Sequence, residues 1–308
     1  MGEFTIPVNK NIDSGGKPPS AEHSDKTTRR SYFGVLWRRF KRNKISLISL
    51  YFIVFLIALA IVGPLILPFD YKTMDYTALY QKPSLKHWMG TDDGGRDMLT
   101  LIIYGLRNAL IVGFGAGLVE ILIGVTIGAL AGYFGGRLDN ILMRFVDIMF
   151  ALPSFLLSLM LVVVLGRNLF TILLAIGLTS WAGMARLARA QVLSIKQVDY
   201  IEAARSLGAS NSVIIFRYVL PNAVGPIFVS LSFNIPGAMM VESGLSLIGL
   251  GIMPPMPSWG ALINIGSRFI LSTPHLILYP AITFALTILA FTFVGDGLRD
   301  AFDAKQSD

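Results

Sequence analysis

The sequence contains no cysteine and only three histidines, and charged residues make up only 15% of its 308 positions. Soluble chains carry about 25% charged residues. The missing cysteine excludes thiol catalysis, iron–sulfur clusters, Cys-ligated zinc and a disulfide scaffold. The scarcity of charge stands beside 54% apolar residues and a mean hydropathy of +0.63. That balance excludes a disordered chain and argues against a soluble enzyme. His23, His87 and His275 lie far apart with no metal-ligand spacing, so no metal site is expected. No G-x-x-x-x-G-K-[ST] run is present to cradle ATP, and no G-x-S-x-G elbow offers a nucleophile. No catalytic residue and no cofactor of its own are therefore expected in this chain.

What is present is a series of long uncharged runs. Residues 45–67 carry no charge, and 23 residues at about 1.5 Å each span a hydrocarbon core of roughly 30 Å. Further apolar runs lie at 108–134, 145–165, 169–185, 222–250 and 276–295. Backbone polar groups cannot stay unpaired in lipid, so runs of this length predict helices. The expectation is an all-α polytopic membrane protein with six transmembrane helices.

The net charge is +7, and its placement indicates membrane topology rather than nucleic acid. With the N-terminus inside, 19 of the 26 Lys and Arg fall on inner segments and 7 on outer ones. Both termini are thus expected in the cytoplasm. Residues 1–28 read as a disordered tail, and 304–308 as a short one. Arg29, Arg30, Arg38, Arg39, Lys41, Arg42 and Lys44 interleave with Phe33, Leu36, Trp37 and Phe40. This pattern predicts an amphipathic helix on the anionic inner leaflet. Domain boundaries follow: 29–105 for the basic segment, first span and long outer loop, and 106–303 for the remaining helices.

Two loops are too long to be connectors. The outer loop 68–105 carries five aspartates. The inner loop 186–221 has helical pattern and turn chemistry. Tyr200 to Leu207 has good helix formers and no Gly or Pro. Glu202 and Arg205 are spaced to pair at i,i+3. Gly208 stands where a left-handed C′ glycine would end the helix, and Pro221 fits the first turn of the next membrane helix. Exposed small residues such as Ala203 and Ala204 let another backbone approach closely.

Glu202-Ala203-Ala204, then Gly208, then Leu220-Pro221 resembles the EAA loop of ABC importer permeases. Tyr218 stands where that family often has Ile. Three further stretches resemble the C-type permease of dipeptide and oligopeptide ABC importers: HWMGTDDGGRDMLTLIIY from His87, VDIMFALPSFL from Val146, and VESGLSLIGLGIMPPMPSWGALI from Val241. The resemblance runs from Tyr32 to Asp303. It implies the bacterial or archaeal cytoplasmic membrane, a second homologous permease, two ATPase subunits that bind ATP and magnesium, and an extracytoplasmic binding protein. It implies a substrate among di- and oligopeptides, peptide-like molecules, nickel and some oligosaccharides. It also implies that Tyr200, Ile201, Glu202, Ala203, Ala204, Arg205, Leu207, Gly208, Leu220 and Pro221 couple the chain to an ATPase.

Other features are read from the residues themselves. Gly113/Gly117, Gly124/Gly128 and Gly128/Gly132 are small-xxx-small pairs expected to pack helices. Gly225-Pro226 and Asn234-Ile235-Pro236-Gly237 predict a broken fifth span, of the kind that lines a path in transporters. Glu120, Asp147 and Glu242 are acidic groups at or near membrane depth. Arg144 is the expected partner of Asp147, and Glu242 with Ser243 is the candidate outer gate. Trp259 is expected to anchor an outer interfacial turn, and 258–270 either lies there or re-enters the membrane. An ion-gradient-driven secondary transporter would instead favour buried charges and an inverted repeat; few such charges and no clear repeat are present.

Overall fold

The computed structural model of the chain describes residues 32–303. The two tails and the pair Arg29 and Arg30 lie outside the described residues, as does His23. Within them the chain is helical, with a single isolated bridge between Thr91 and Asp97. Helix α1 covers Tyr32–Phe40, and α2, Lys44–Ile66, starts after it on an Asn43 cap whose side chain accepts from the Ser46 amide at 3.2 Å. Helix α3 runs Met98–Phe134, α4 Gly136–Ala151, α5 Ser154–Leu165 and α6 Leu169–Ile195. A short α7, Asp199–Ser206, precedes α8, Asn211–Val213, and α9, Leu220–Leu247. Helices α10, Trp259–Arg268, and α11, His275–Asp303, complete the chain.

Five of these helices are long and apolar enough to cross a membrane, and α4 with α5 forms a sixth, bent by 84°. The bend falls at Leu152-Pro153, where the Pro ring excludes a helical preceding residue. Six crossings place Tyr32, the 196–210 segment and Asp303 at one end of the bundle. The 68–97 and 249–274 segments lie at the other.

Several spans differ from the sequence expectation. Helix α3 begins ten residues early, at Met98, because Asp97 caps it and accepts from the Thr100 amide at 2.9 Å. Helix α6 extends to Ile195, so much of the expected loop 186–221 is helix. Its charges have partners on α4: Arg189 makes a paired contact with both Asp139 oxygens at 2.6 Å, and Arg186 meets Asp147 at 2.7 Å. Arg186, and not Arg144, is therefore the partner of Asp147. The fifth span is not broken. It is continuous from Asn211 to Leu247, with Pro226 and Pro236 inside it.

The glycine pairs explain how α3 sits at the centre. A Cβ on Gly124 would stand 2.7 Å from the Trp181 carbonyl, and one on Gly132 2.9 Å from the Arg189 carbonyl. A Cβ on Gly128 would meet the Ala185 carbonyl and stand 2.9 Å from the Arg189 amide. One face of α3 is thus in near backbone contact with α6, the close approach that small residues permit. Gly113 and Gly117 make room on α3 for the side chains of Ile235, Met239 and Leu231 of α9. The small-xxx-small pairs pack within the subunit.

At the other end, residues 68–97 form no helix but are tied by hydrogen bonds. Asp92 is buried and accepts from the Gly94 and Arg96 amides and from the Arg96 guanidinium, at 2.6–2.9 Å. His87 Nδ1 pairs with Asp97 at 3.0 Å. Burial, and then the neighbouring Asp92 carboxylate, hold the Asp93 carboxyl above its ordinary range despite Arg96. Trp259 is fully buried, donates Nε1–H to the Ile102 carbonyl at 3.1 Å and meets Phe284 edge-on, so it is a core residue and not an interfacial anchor. Helix α10 has ten residues, about 15 Å, too short to cross a membrane.

Gly128→Val is expected to lower stability by about 1–3 kcal/mol through overpacking. Thermal unfolding in detergent checks this. Gly183→Ala, on α6 with nothing within 4 Å of its added Cβ, serves as the control that does not lower the melting temperature.

Candidate functional site: an anchored surface helix and two buried carboxylates

Helix α7 is held by one residue. Ile201 is buried in a cluster with Ala129, Tyr133, Val192, Ile214 and Val219. Its amide donates to the Val198 carbonyl at 2.9 Å, turning the chain into the helix. Around that anchor the rest of α7 faces outward: Tyr200, Glu202, Ala203 and Arg205 are exposed, and Ala204 is half-buried. Leu207 is 88% exposed. The expected Glu202–Arg205 ion pair does not form; among the described residues both are without an ionic partner.

The helix ends as its glycine predicts. Gly208 adopts a φ of 84°. Its amide donates to the Arg205 carbonyl at 3.0 Å, and that of Ala209 to the Ala204 carbonyl at 3.1 Å. These two bonds are the 5→2 and 6→1 pair of a Schellman motif. No atom lies within 4 Å of a Cβ added at Gly208. The constraint there is conformational, since a β-branched residue is strained at positive φ.

The segment is clamped to the bundle from both sides. Tyr133, at the end of α3, donates its hydroxyl to Asn211 at 2.7 Å, and its carbonyl accepts from Lys196 Nζ at 2.6 Å. The Tyr200 and Tyr218 rings lie 6.5 Å apart. The chain then re-enters the bundle at Asn211, not at Pro221. Residues Ile214–Val219 are wound as a π-helix, closed by the Leu220 amide on the Ile215 carbonyl. Pro221 follows at once. It has no amide to donate and would crowd the carbonyl four residues back, and the wider turn gives that carbonyl room. Thus Leu220 and Pro221 sit inside a continuous helix that leads from the surface helix into the bundle.

Further along the same helix stand the polar residues singled out in the sequence. Asn234 donates to Glu120 of α3 at 2.5 Å and to Ser230 at 3.4 Å. Glu120 is thus a structural partner of an amide on the adjacent helix. Glu242 is 1% exposed and accepts from Ser246 at 2.8 Å and from Ser243 at 3.3 Å. Pro236 and Ser243 are buried. Asn234 and Glu242 are more than two turns apart and share no partner, so they form two sites rather than one. Arg167 ties the neighbouring loop, donating to the Gly249 carbonyl at 2.5 Å and the Gly251 carbonyl at 3.3 Å. Sequence reading missed this strap, which depends on a contact across more than 80 residues.

Residues 124–308 match the family of binding-protein-dependent transport system inner membrane components. The chain belongs to that family. Residues 31–83 of the permease match the N-terminal transmembrane domain of oligopeptide transport permease C. The dipeptide transport system permease protein DppC of Bacillus subtilis is 42% identical over 276 residues, covering 89% of this chain and 86% of its own. The oligopeptide transport system permease protein OppC of the same organism is 40% identical, covering 88% and 90%. The glutathione transport system permease protein GsiD of Pectobacterium atrosepticum is 40% identical, covering 87% and 90%. Among solved structures, an inward-facing MetNI methionine ABC transporter chain aligns with a TM-score of 0.55 at 19% identity, covering 66% of this chain and 97% of that one. That likeness establishes the permease fold. The chain is therefore a permease subunit of an ABC importer, the membrane component of the system and not its ATP-hydrolysing one.

Asn234→Leu is expected to destabilise the permease by about 1–3 kcal/mol by orphaning the Glu120 carboxyl. Adding Glu120→Leu is expected to recover most of the loss. Unfolding of the single and double variants in detergent checks the coupling.

Proposed function

We propose that this permease carries di- or oligopeptides, handed over by an extracytoplasmic binding protein, through a pore completed by a second homologous permease. Both termini and the 196–210 segment face the cytoplasm. Two ATPase subunits bind ATP and magnesium there, and α7 couples one of them to the pore. The Lys and Arg distribution supports this orientation. The similarity to permeases of dipeptide and oligopeptide transport systems, over nearly the whole chain, supports the substrate class.

One observation carries the coupling role. Helix α7 buries a single residue, Ile201, while Leu207 stays 88% exposed beside Tyr200, Ala203, Glu202 and Arg205. A short helix with an apolar and charged outer face, rigidly ended and clamped at both sides, is what docking onto another subunit requires. ATP binding changes the spacing of the ATPase pair. Docking through α7 biases the pore only if the contact differs between its two states. The helix from Asn211 to Leu247 connects that contact to Asn234 and Glu242. Glu242 and Ser243 belong to the outer gate in this reading, and Pro236 to the path below it.

ATP-dependent uptake of a labelled peptide into vesicles carrying the complete importer is the test. Gly208→Val strains the helix end by about 1–2 kcal/mol, and Glu202→Lys reverses a charge on the docking face. Each is expected to abolish uptake while the chain stays in the membrane. Normal uptake by both removes the coupling role from α7, and uptake that ignores ATP points to an ion-driven carrier. Glu242→Gln is expected to slow uptake without loss of assembly; unchanged transport removes the charge from the gate.

A further inference from the structure

A groove of about 500 Å³ opens on the bundle surface at the end that carries α1. Ten residues line it, all apolar, from four helices. Trp37 and Phe40 of α1 stack with ring centroids 5.8 Å apart and form one wall. Leu50 of α2, Phe228 of α9, and Leu298 and Phe302 of α11 form the others. The volume lies in the range, about 300–1,000 Å³, of sites that hold a small apolar molecule. Trp37 and Phe228 are 46% and 53% exposed, so the groove is open at its side.

The rim has the opposite chemistry. Lys41 Nζ lies 5.0 Å above the Trp37 ring, at the lip. Arg38 in the last turn of α1, Arg42 in the turn that follows and Lys44 at the start of α2 are exposed. Helix α11 carries three exposed acids, Asp296, Asp300 and Asp303, and none of them lines the groove. Asp303 is held by Arg299 at 3.6 Å. Helix α1 brings no acid of its own. The wall is thus wholly apolar, and its α1 lip is cationic. The occupant must carry an apolar chain and an anionic head on one molecule, at the level where a membrane helix leaves the bilayer.

We propose that this groove binds one anionic phospholipid, an acyl chain lying along Trp37, Leu50 and Phe228 and the phosphate on Lys41 and Arg42. The site ties α1 to α9 and α11 through lipid, and so makes the helix that follows the π segment sensitive to membrane composition. Basic pockets at membrane helix ends recognise anionic headgroups in this way. The proposal rests on the orientation above only in placing the lipid in the inner leaflet.

Native mass spectrometry of the complete importer, released from vesicles of phosphatidylglycerol or phosphatidylcholine, is the test. The wild type is expected to retain one more phosphatidylglycerol than phosphatidylcholine per copy of this chain. Val224→Trp, which fills the groove, is expected to release both lipids. Lys41→Gln and Arg42→Gln are each expected to weaken phosphatidylglycerol retention about fivefold and leave phosphatidylcholine unchanged. A measurement on the unaltered groove guards against misfolded variants. Phosphatidylglycerol with a brominated acyl chain is expected to quench wild-type tryptophan emission more than the brominated phosphatidylcholine does, and Trp37→Phe to remove the difference. Equal retention and equal quenching by the two lipids overturn the proposal. So does a cross-link from Val224→Cys, the sole thiol in this cysteine-free chain, to the second permease, because a protein helix then fills the groove. The masses of the assemblies report the partner subunits separately, so a missing partner and an empty lipid site are told apart.

Discussion

The near backbone contact between α3 and α6 is the constraint on which the rest of the structure depends. Gly124, Gly128 and Gly132 leave no room for a side chain between the two helices. In lipid, apolar burial gives no net drive for helices to associate, so van der Waals contact at this separation must hold them. Once α3 and α6 are fixed, Tyr133 and Lys196 at their ends meet, and with Asn211 they frame the surface helix. The opposite face of α3 offers Gly113, Gly117 and Glu120 to α9. One helix thus positions the outward-facing α7 and receives the polar contact inside the bundle.

The membrane spans were legible because their signal is compositional. A run without charge in lipid must be helical, and no tertiary information is needed to say so. Their ends were less legible. Residues 186–195 hold Arg186 and Arg189, which hydropathy reads as loop. Their carboxylate partners lie on α4, about 40–50 positions away in sequence. The start of α3 does carry a local signal: Asp97 followed three residues later by Thr100, the spacing of a side-chain cap. Pro226 and Pro236 illustrate the opposite failure. Their local rule predicts a break, and packing against α3 and α11 keeps the helix whole.

The surface helix was legible almost residue by residue, because a C′ glycine and an intervening run of helix formers are local features. Its anchor was less so. Val198, Ile201, Ala204 and Leu207 recur at every third position, which makes an apolar stripe that drifts round a helix of 3.6 residues per turn. The structure buries only Ile201 fully and leaves Leu207 to the surface. A stripe that drifts cannot all be buried against one neighbour, and which member wins depends on where Tyr133 and Val192 arrive. The π segment left no mark in the composition of 214–219; its only local cue is the proline that follows.

The unbroken helix from Asn211 to Leu247 has a mechanical consequence. From Leu220 to Glu242 it measures about 33 Å. If it moves as a stiff rod about its clamped end, a tilt of about 10° there displaces Glu242 sideways by about 6 Å, wider than a water molecule. The proline-bearing helix is then a lever whose short arm is the π turn beside α7. A small rotation at the surface end then becomes a larger displacement at Glu242, with no intermediate part to relay it.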